Sequence, residues 1–142
     1  MKNRCFATFG LLTLLATTSA FGQGPGPANF DIPFEFRVGT TVMPAGQYDV
    51  DRHQGNDSVL SLSCYDCQAR IMALTNSISG DINLHTTDRL VFHKYGDTYF
   101  LSEVWSSAKS TGNSLPKSKT EGELSRRVSR AQISQVVLAA RR

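Results

Sequence analysis

Three cysteines in 142 residues are too few for a disulfide-dense scaffold. Two of them, Cys64 and Cys67, form the one Cys-x-x-Cys pair, so a zinc site would need two more ligands. These would have to come from His53, His85 or His93, and none is spaced as a ligand pair, so no metal site is predicted. Catalytic signatures are missing too. The sequence has no Gly-x-Ser-x-Gly, no phosphate-cradling glycine loop and no His-Glu-x-x-His, which removes the common hydrolase, nucleotide and metalloprotease patterns. No catalytic residue is predicted and no cofactor is implied. No apolar run reaches the roughly 20 residues that a helix needs to cross a bilayer, and no internal repeat is present.

What is present begins with a leader. Lys2 and Arg4 precede the apolar run from Phe6 to Ala16, and the small residues Ala20 and Gly22 follow it, which is the layout of a signal peptide. Cuts after Ala20 or Gly22 both fit, and the second is preferred, giving residues 1–22 as the leader. Cys5 lies before the apolar run rather than after it, which argues against a lipid-modified start. Cleavage leaves 120 residues, about the commonest size of a single domain. Such a chain buries roughly two thirds of its unfolded surface and folds without staples or metal. An exported protein with no transmembrane span, periplasmic or extracellular, is the expectation.

Removing Lys2 and Arg4 leaves 13 basic against 12 acidic side chains, so overall charge says little. Its distribution says more. Residues 23–108 carry 5 basic and 10 acidic groups, whereas residues 109–142 carry 8 basic and 2 acidic. The basic end, with Arg126, Arg127 and Arg130, is a candidate surface for an anionic partner. Its plain alternative is a solvated helix face or a contact with the acidic body of the same domain.

Residues 23–29 are rich in Gly and Pro and read as a flexible lead-in. In NFDIPFEFRVG, Phe30, Ile32, Phe34, Phe36 and Val38 alternate with polar residues or Pro33, the period of a half-buried strand. Pro33 cannot donate to a ladder, so this strand lies at an edge or carries a bulge. MPAGQYDVDR turns and then alternates Tyr48 and Val50 against Gln47, Asp49 and Asp51, which places both aspartates on the solvent face. SVLSLSC puts Leu60, Leu62 and Cys64 on one face, and QARIMALT supplies a fourth strand across a turn at Tyr65 and Asp66. Residues 76–88 show no usable period. A loop of that length is often functional, and it makes His85 a candidate binding residue.

RLVFHKYGDTYFLSEVW contains two β-rich runs around Gly96-Asp97, a dipeptide suited to a two-residue hairpin turn. That register sets Phe92 opposite Leu101 and His93 opposite Phe100. Both faces carry apolar groups, as in a central strand pair, and Trp105 is expected to anchor the core. Past a polar loop, Ser118 and Glu121 have capping-box spacing, predicting a short helix from about Lys119. QISQVVLAARR is open between helix and strand, with Val136 and Val137 favouring a strand.

With Cys5 removed, Cys64 and Cys67 form an even pair in an oxidising compartment, where disulfides persist. A β-turn brings its first and fourth Cα atoms within about 7 Å, inside disulfide reach. The resulting four-residue loop stabilises by only about 2 kcal/mol in the chain-entropy estimate. Redox catalysis would need a helix N-terminus or basic neighbour to lower a thiol pKa, and here the neighbour is Asp66. Haem attachment needs His after the second cysteine, and position 68 is Gln68. His53 reads as a turn residue and His93 as a hydrogen-bonded core residue. Aromatic strand residues form nucleic-acid stacking platforms in some folds, but Phe30, Phe34 and Phe36 alternate as core residues do, and most basic groups lie elsewhere.

FDIPFEFRVG, MPAGQYDV, LVFHKYGDTYFLSEVW and LPKSKTEGEL together resemble a family of small exported bacterial all-β proteins that is uncharacterised. The resemblance spans roughly Phe30 to Leu124, implies no activity, and is not shared by Cys64 and Cys67. The expected fold is a single antiparallel β domain over residues 30–142, a sandwich or small barrel of about 6–8 strands with one short C-terminal helix. The expected function is a non-enzymatic envelope or secreted binding module, its partner an envelope protein, an anionic surface or a small ligand. The alternatives are a small-ligand-binding β-barrel and, less favoured, a thiol-disulfide redox protein. A cavity with mixed apolar and polar lining would favour the ligand-holding form; a filled core would favour the interaction module.

Overall fold

A computed structural model describes residues 26–53, 55–80 and 87–141. Residues 1–22, read above as a leader, the start of the expected lead-in and His85 lie outside the described residues. Eleven strands are present among those described: β1 (Ala28–Ile32), β2 (Phe36–Val38), β3 (Thr41–Met43), β4 (Gly46–Arg52), β5 (Val59–Cys64), β6 (Arg70–Leu74), β7 (Asn76–Ser79), β8 (Arg89–Tyr95), β9 (Thr98–Trp105), β10 (Thr111–Ser114) and β11 (Ile133–Ala139). One α-helix, α1 (Lys119–Arg127), precedes a 3-10 turn at Arg130–Gln132 and then β11.

The strands form two sheets. The first runs β1-β4-β5-β6, all antiparallel; the second runs β11-β8-β9-β10-β7, with β2 parallel to β9 and β3 beside β2. The sheets do not close into a barrel, so of the two expected architectures the sandwich is the one adopted. Phe30, Ile32, Tyr48, Val50, Leu60, Leu62 and Cys64 from the first sheet face Phe36, Leu90, Phe92, Leu101 and Val104 from the second. Each fully buried aliphatic or aromatic side chain contributes about 1.5–3 kcal/mol, so this layer is the main source of stability. Edge-to-face contacts of Phe36 with Tyr48 and Phe92 add directionality.

The run from Phe30 to Val38, expected as one strand, is two. Residues 33–35 carry the chain from the edge of the first sheet (β1) to the second (β2), and Pro33 falls in that crossing, where no ladder donor is needed. Alternation survives because both strands turn the same parity inward. The strand count exceeds the expected 6–8 because β2, β3, β7 and β10 have only three or four residues each, too few to display a period. Thus β7 occupies the start of the segment read as loop 76–88, β10 lies in the stretch read as polar loop, and β1 begins two residues inside the lead-in.

The β8–β9 hairpin has the expected register, with Phe92 opposite Leu101 and His93 opposite Phe100. Gly96 supplies φ of 60° at the turn, which glycine adopts without strain. A bulge between Val91 and Phe92 leaves Val91, Tyr95 and Phe100 buried outside the central layer. Helix α1 covers that second face through Glu121. Residues 133–139 are the strand that β-branching favoured, paired with β8 along its length.

Candidate binding groove

At one end of the sandwich the two sheets part, and the core opens into a groove of about 470 Å³. Its floor is the apolar interior itself: Phe30 and Val50 on β1 and β4, Leu60 on β5 and Val104 on β9. Trp105 forms a wall. Its ring is buried, lies against Gly112 of the neighbouring strand, has the Arg89 guanidinium carbon 5.5 Å above it, and donates from Nε1 to Glu103 Oε2 at 2.7 Å. The expected core anchor is therefore buried but lies at the groove, outside the central layer.

Both rims are held by hydrogen bonds. On one side the turn after β4 is closed by Asn56 N–H to His53 O and Val59 N–H to Asn56 O. Buried Asn113 then donates through Nδ2 to the Asp57 carbonyl at 2.5 Å and to Thr75 Oγ1 at 2.8 Å. On the other side Asp88 Oδ1 accepts from Ser107 N–H at 2.6 Å and Ser107 Oγ at 2.9 Å. Lys109 Nζ reaches across to Asp57 Oδ2 at 3.0 Å, an exposed pair worth at most about 1 kcal/mol.

Arg52 stands out among the lining residues. It ends β4 on the parity of Tyr48 and Val50, so its side chain points between the sheets. Its Nε and Nη2 atoms are buried and have no hydrogen-bond partner among the described residues. Buried charge is normally bonded, because an unmet donor on a charged group loses its hydration with nothing in return. The alternation that located Tyr48 and Val50 carries the signal for Arg52 two residues further on.

The sequence-predicted candidates do not converge here. Arg126, Arg127 and Arg130 are exposed around the C-terminal end of α1, with no ion pair to the acidic body among the described residues. These three present an exposed face, while Lys109 of the same basic end pairs with Asp57 of the acidic body. His53 is an exposed turn residue on the groove rim. Asp51 is exposed, and Asp49 is half-buried and accepts from Asn29 Nδ2 at 2.8 Å. No group of three or more His, Cys, Asp or Glu able to hold a metal occurs among the described residues.

Cys64 and Cys67 form a disulfide, their Cα atoms 5.5 Å apart. Cys64 is buried on the core face of β5, with Gly46 against its sulfur, while Cys67 is half-buried near the Tyr48 hydroxyl. A thiolate attacking this bond has no open approach to Cys64 Sγ. That hydroxyl donates to the Pro44 carbonyl at 2.6 Å, and burial pushes its pKa up to about 12.

A second cluster lies under α1. Glu121 is buried, and its Oε1 accepts from Tyr95 Oη at 3.1 Å and faces His93 Nδ1 at 3.1 Å. The expected capping box is thus half formed: Ser118 Oγ accepts from Glu121 N–H at 3.1 Å, while the Glu121 carboxylate turns to the sheet instead of the cap. Burial first, then the Glu121 charge and hydrogen bond, raise the Tyr95 pKa to about 12. His93 is the hydrogen-bonded histidine expected at that position. The cluster acts as a clasp between helix and sheet.

Fold and groove together define an open, mainly antiparallel β-sandwich, with one parallel pair between β2 and β9, and a mixed-polarity cleft between its sheets. Comparison with protein-family models, curated proteins and solved structures finds no match. Among the described residues no helix is long and apolar enough to cross a membrane.

Proposed function

We propose that this chain is an exported, non-enzymatic binding module that holds a small ligand in the groove at the open end of its sandwich. The carrying observation is a cleft whose floor is continuous with the hydrophobic core and whose rim is polar and hydrogen-bonded. Small-molecule sites have this composition and a volume of about 300–1,000 Å³. The leader supports export, and a disulfide far from the groove is compatible with it.

The test is titration with the fluorescent probe anilinonaphthalene sulfonate, using the processed chain and an Ala28→Trp variant. Ala28 is half-buried on the groove lining, so a bulky ring there fills the cleft from its edge. Binding to the parent, weakened at least about tenfold in a variant that keeps its thermal midpoint, supports the reading. No binding, or binding that the ring leaves untouched, overturns it.

The exposed Arg126, Arg127 and Arg130 favour a second reading, contact with an anionic surface. Truncating the basic end would remove β10, α1 and β11, so substitution is the appropriate probe. Reversing all three charges should abolish salt-sensitive association with phosphatidylglycerol vesicles; unchanged association, or none from the parent, ends this reading.

A further inference from the structure

We propose that the groove binds an amphiphilic organic monoanion, with Arg52 holding its carboxylate. This rests on the groove being the ligand site and adds the chemical class of its occupant.

The first observation is which buried atoms lack partners among the described residues. Nε and Nη2 of Arg52 lie on one edge of the guanidinium, and their N–H bonds form the side-on fork that grips the two oxygens of a carboxylate. A charged fork closed to water and unbonded among the described residues is a standing loss to the folded state. Arg52 lines the groove, so the proposal requires its guanidinium to turn between staggered side-chain wells to present that edge to a ligand, a step that costs little by comparison.

The second observation is the surrounding charge. Lys109 is already engaged with Asp57, and Asp88 is satisfied by Ser107. Asp51, Asp57 and Asp88 all line the cleft with Arg52 and Lys109. Three carboxylates against two cations leave the cleft net negative, so one ligand charge held on the Arg52 fork is opposed less than the two of a dianion such as a phosphate monoester. One negative charge is what a single unengaged fork neutralises.

The third is the floor. Phe30, Val50, Leu60 and Val104 offer apolar surface continuous with the core, where an alkyl or aryl tail gains about 0.8 kcal/mol per buried methylene. Head and tail requirements together describe a fatty or aryl carboxylic acid.

Calorimetric titration of the processed chain with decanoate, decanol, acetate and decyl phosphate tests each part. The proposal expects decanoate to bind, decanol and decyl phosphate to bind about tenfold or more weakly, and acetate not detectably. Arg52→Gln should bring decanoate down to the decanol level, and Arg52→Lys should recover only part of the loss because an ammonium cannot fork. Arg52→Met in the free protein should be as stable as the parent or more so, since it removes an unbonded buried charge. A clear destabilisation would mean that Arg52 is structural and would overturn the proposal. Equal binding of decanoate and decanol, or preference for decyl phosphate, also overturns it while leaving the groove as a ligand site. If no probe perturbs the amides of Val50, Leu60 and Val104 in nuclear magnetic resonance spectra, both readings fall together.

Discussion

Removing the Glu121 carboxylate should loosen α1 from the second sheet by an amount set by the two groups it leaves behind. In Glu121→Ala the Tyr95 hydroxyl loses its acceptor. Tyr95 is only 3% exposed, so water does not replace the bond, and stranding a donor once bound to a charged acceptor costs about 1.5–3 kcal/mol. His93 keeps 23% side-chain exposure, so water takes over at Nδ1 and the loss there is below about 1 kcal/mol. The expected destabilisation is about 1.5–4 kcal/mol, a large fraction of the roughly 5–15 kcal/mol that holds a domain of this size. Glu121→Gln keeps an oxygen in place and gives up only the charge assistance, so about 1 kcal/mol is expected. Urea unfolding of residues 23–142 measures both variants, with an unchanged denaturant slope confirming that the folded and unfolded states are comparable. A double-mutant cycle with Tyr95→Phe should return a coupling of about 1 kcal/mol or more. If Glu121→Ala stays within about 0.5 kcal/mol of the parent, the clasp is not a stabilising contact and the reasoning fails.

Gly112→Ala should disturb the groove wall directly, because a Cβ there would stand 2.7 Å from the Trp105 ring. Overpacking of this kind costs about 1–3 kcal/mol, and the single tryptophan reports it as a shifted emission maximum. An unshifted maximum with full stability would contradict the packing described. Tyr48 and Tyr95 set an alkaline limit, since both have pKa values near 12 in the fold against 10.0 for the ordinary phenol. A raised folded pKa contributes stability that is fully present below pH 10 and is lost as pH rises through about 12. Stability measured across that window, with tyrosinate absorbance in parallel, should show the fall; a Tyr48→Phe, Tyr95→Phe protein with the same alkaline slope would refute it.

The sequence reveals most where one local rule decides the outcome. Gly96-Asp97 fixes the turn, and the turn fixes every pair from Tyr95–Thr98 to Phe92–Leu101, so register followed from a dipeptide. It reveals least where the decision belongs to a partner element. Nothing in the Phe30-to-Val38 alternation says that the chain changes sheets at Pro33, because inward parity is the same before and after the switch. Strands such as β7 and β10 are specified mainly by each other and by β9, not by a period of their own. Glu121 shows the same limit from the side-chain direction: its spacing to Ser118 is a capping signal, and only the approach of Tyr95 and His93 diverts the carboxylate. Arg52 is the intermediate case. Parity with Tyr48 and Val50 already points it between the sheets, and a charge at that position is tolerable only where the facing sheet no longer covers it. Only the folded structure shows that a groove opens beside this inward arginine and that two of its donors lack partners among the described residues, and the proposed carboxylate rests on both.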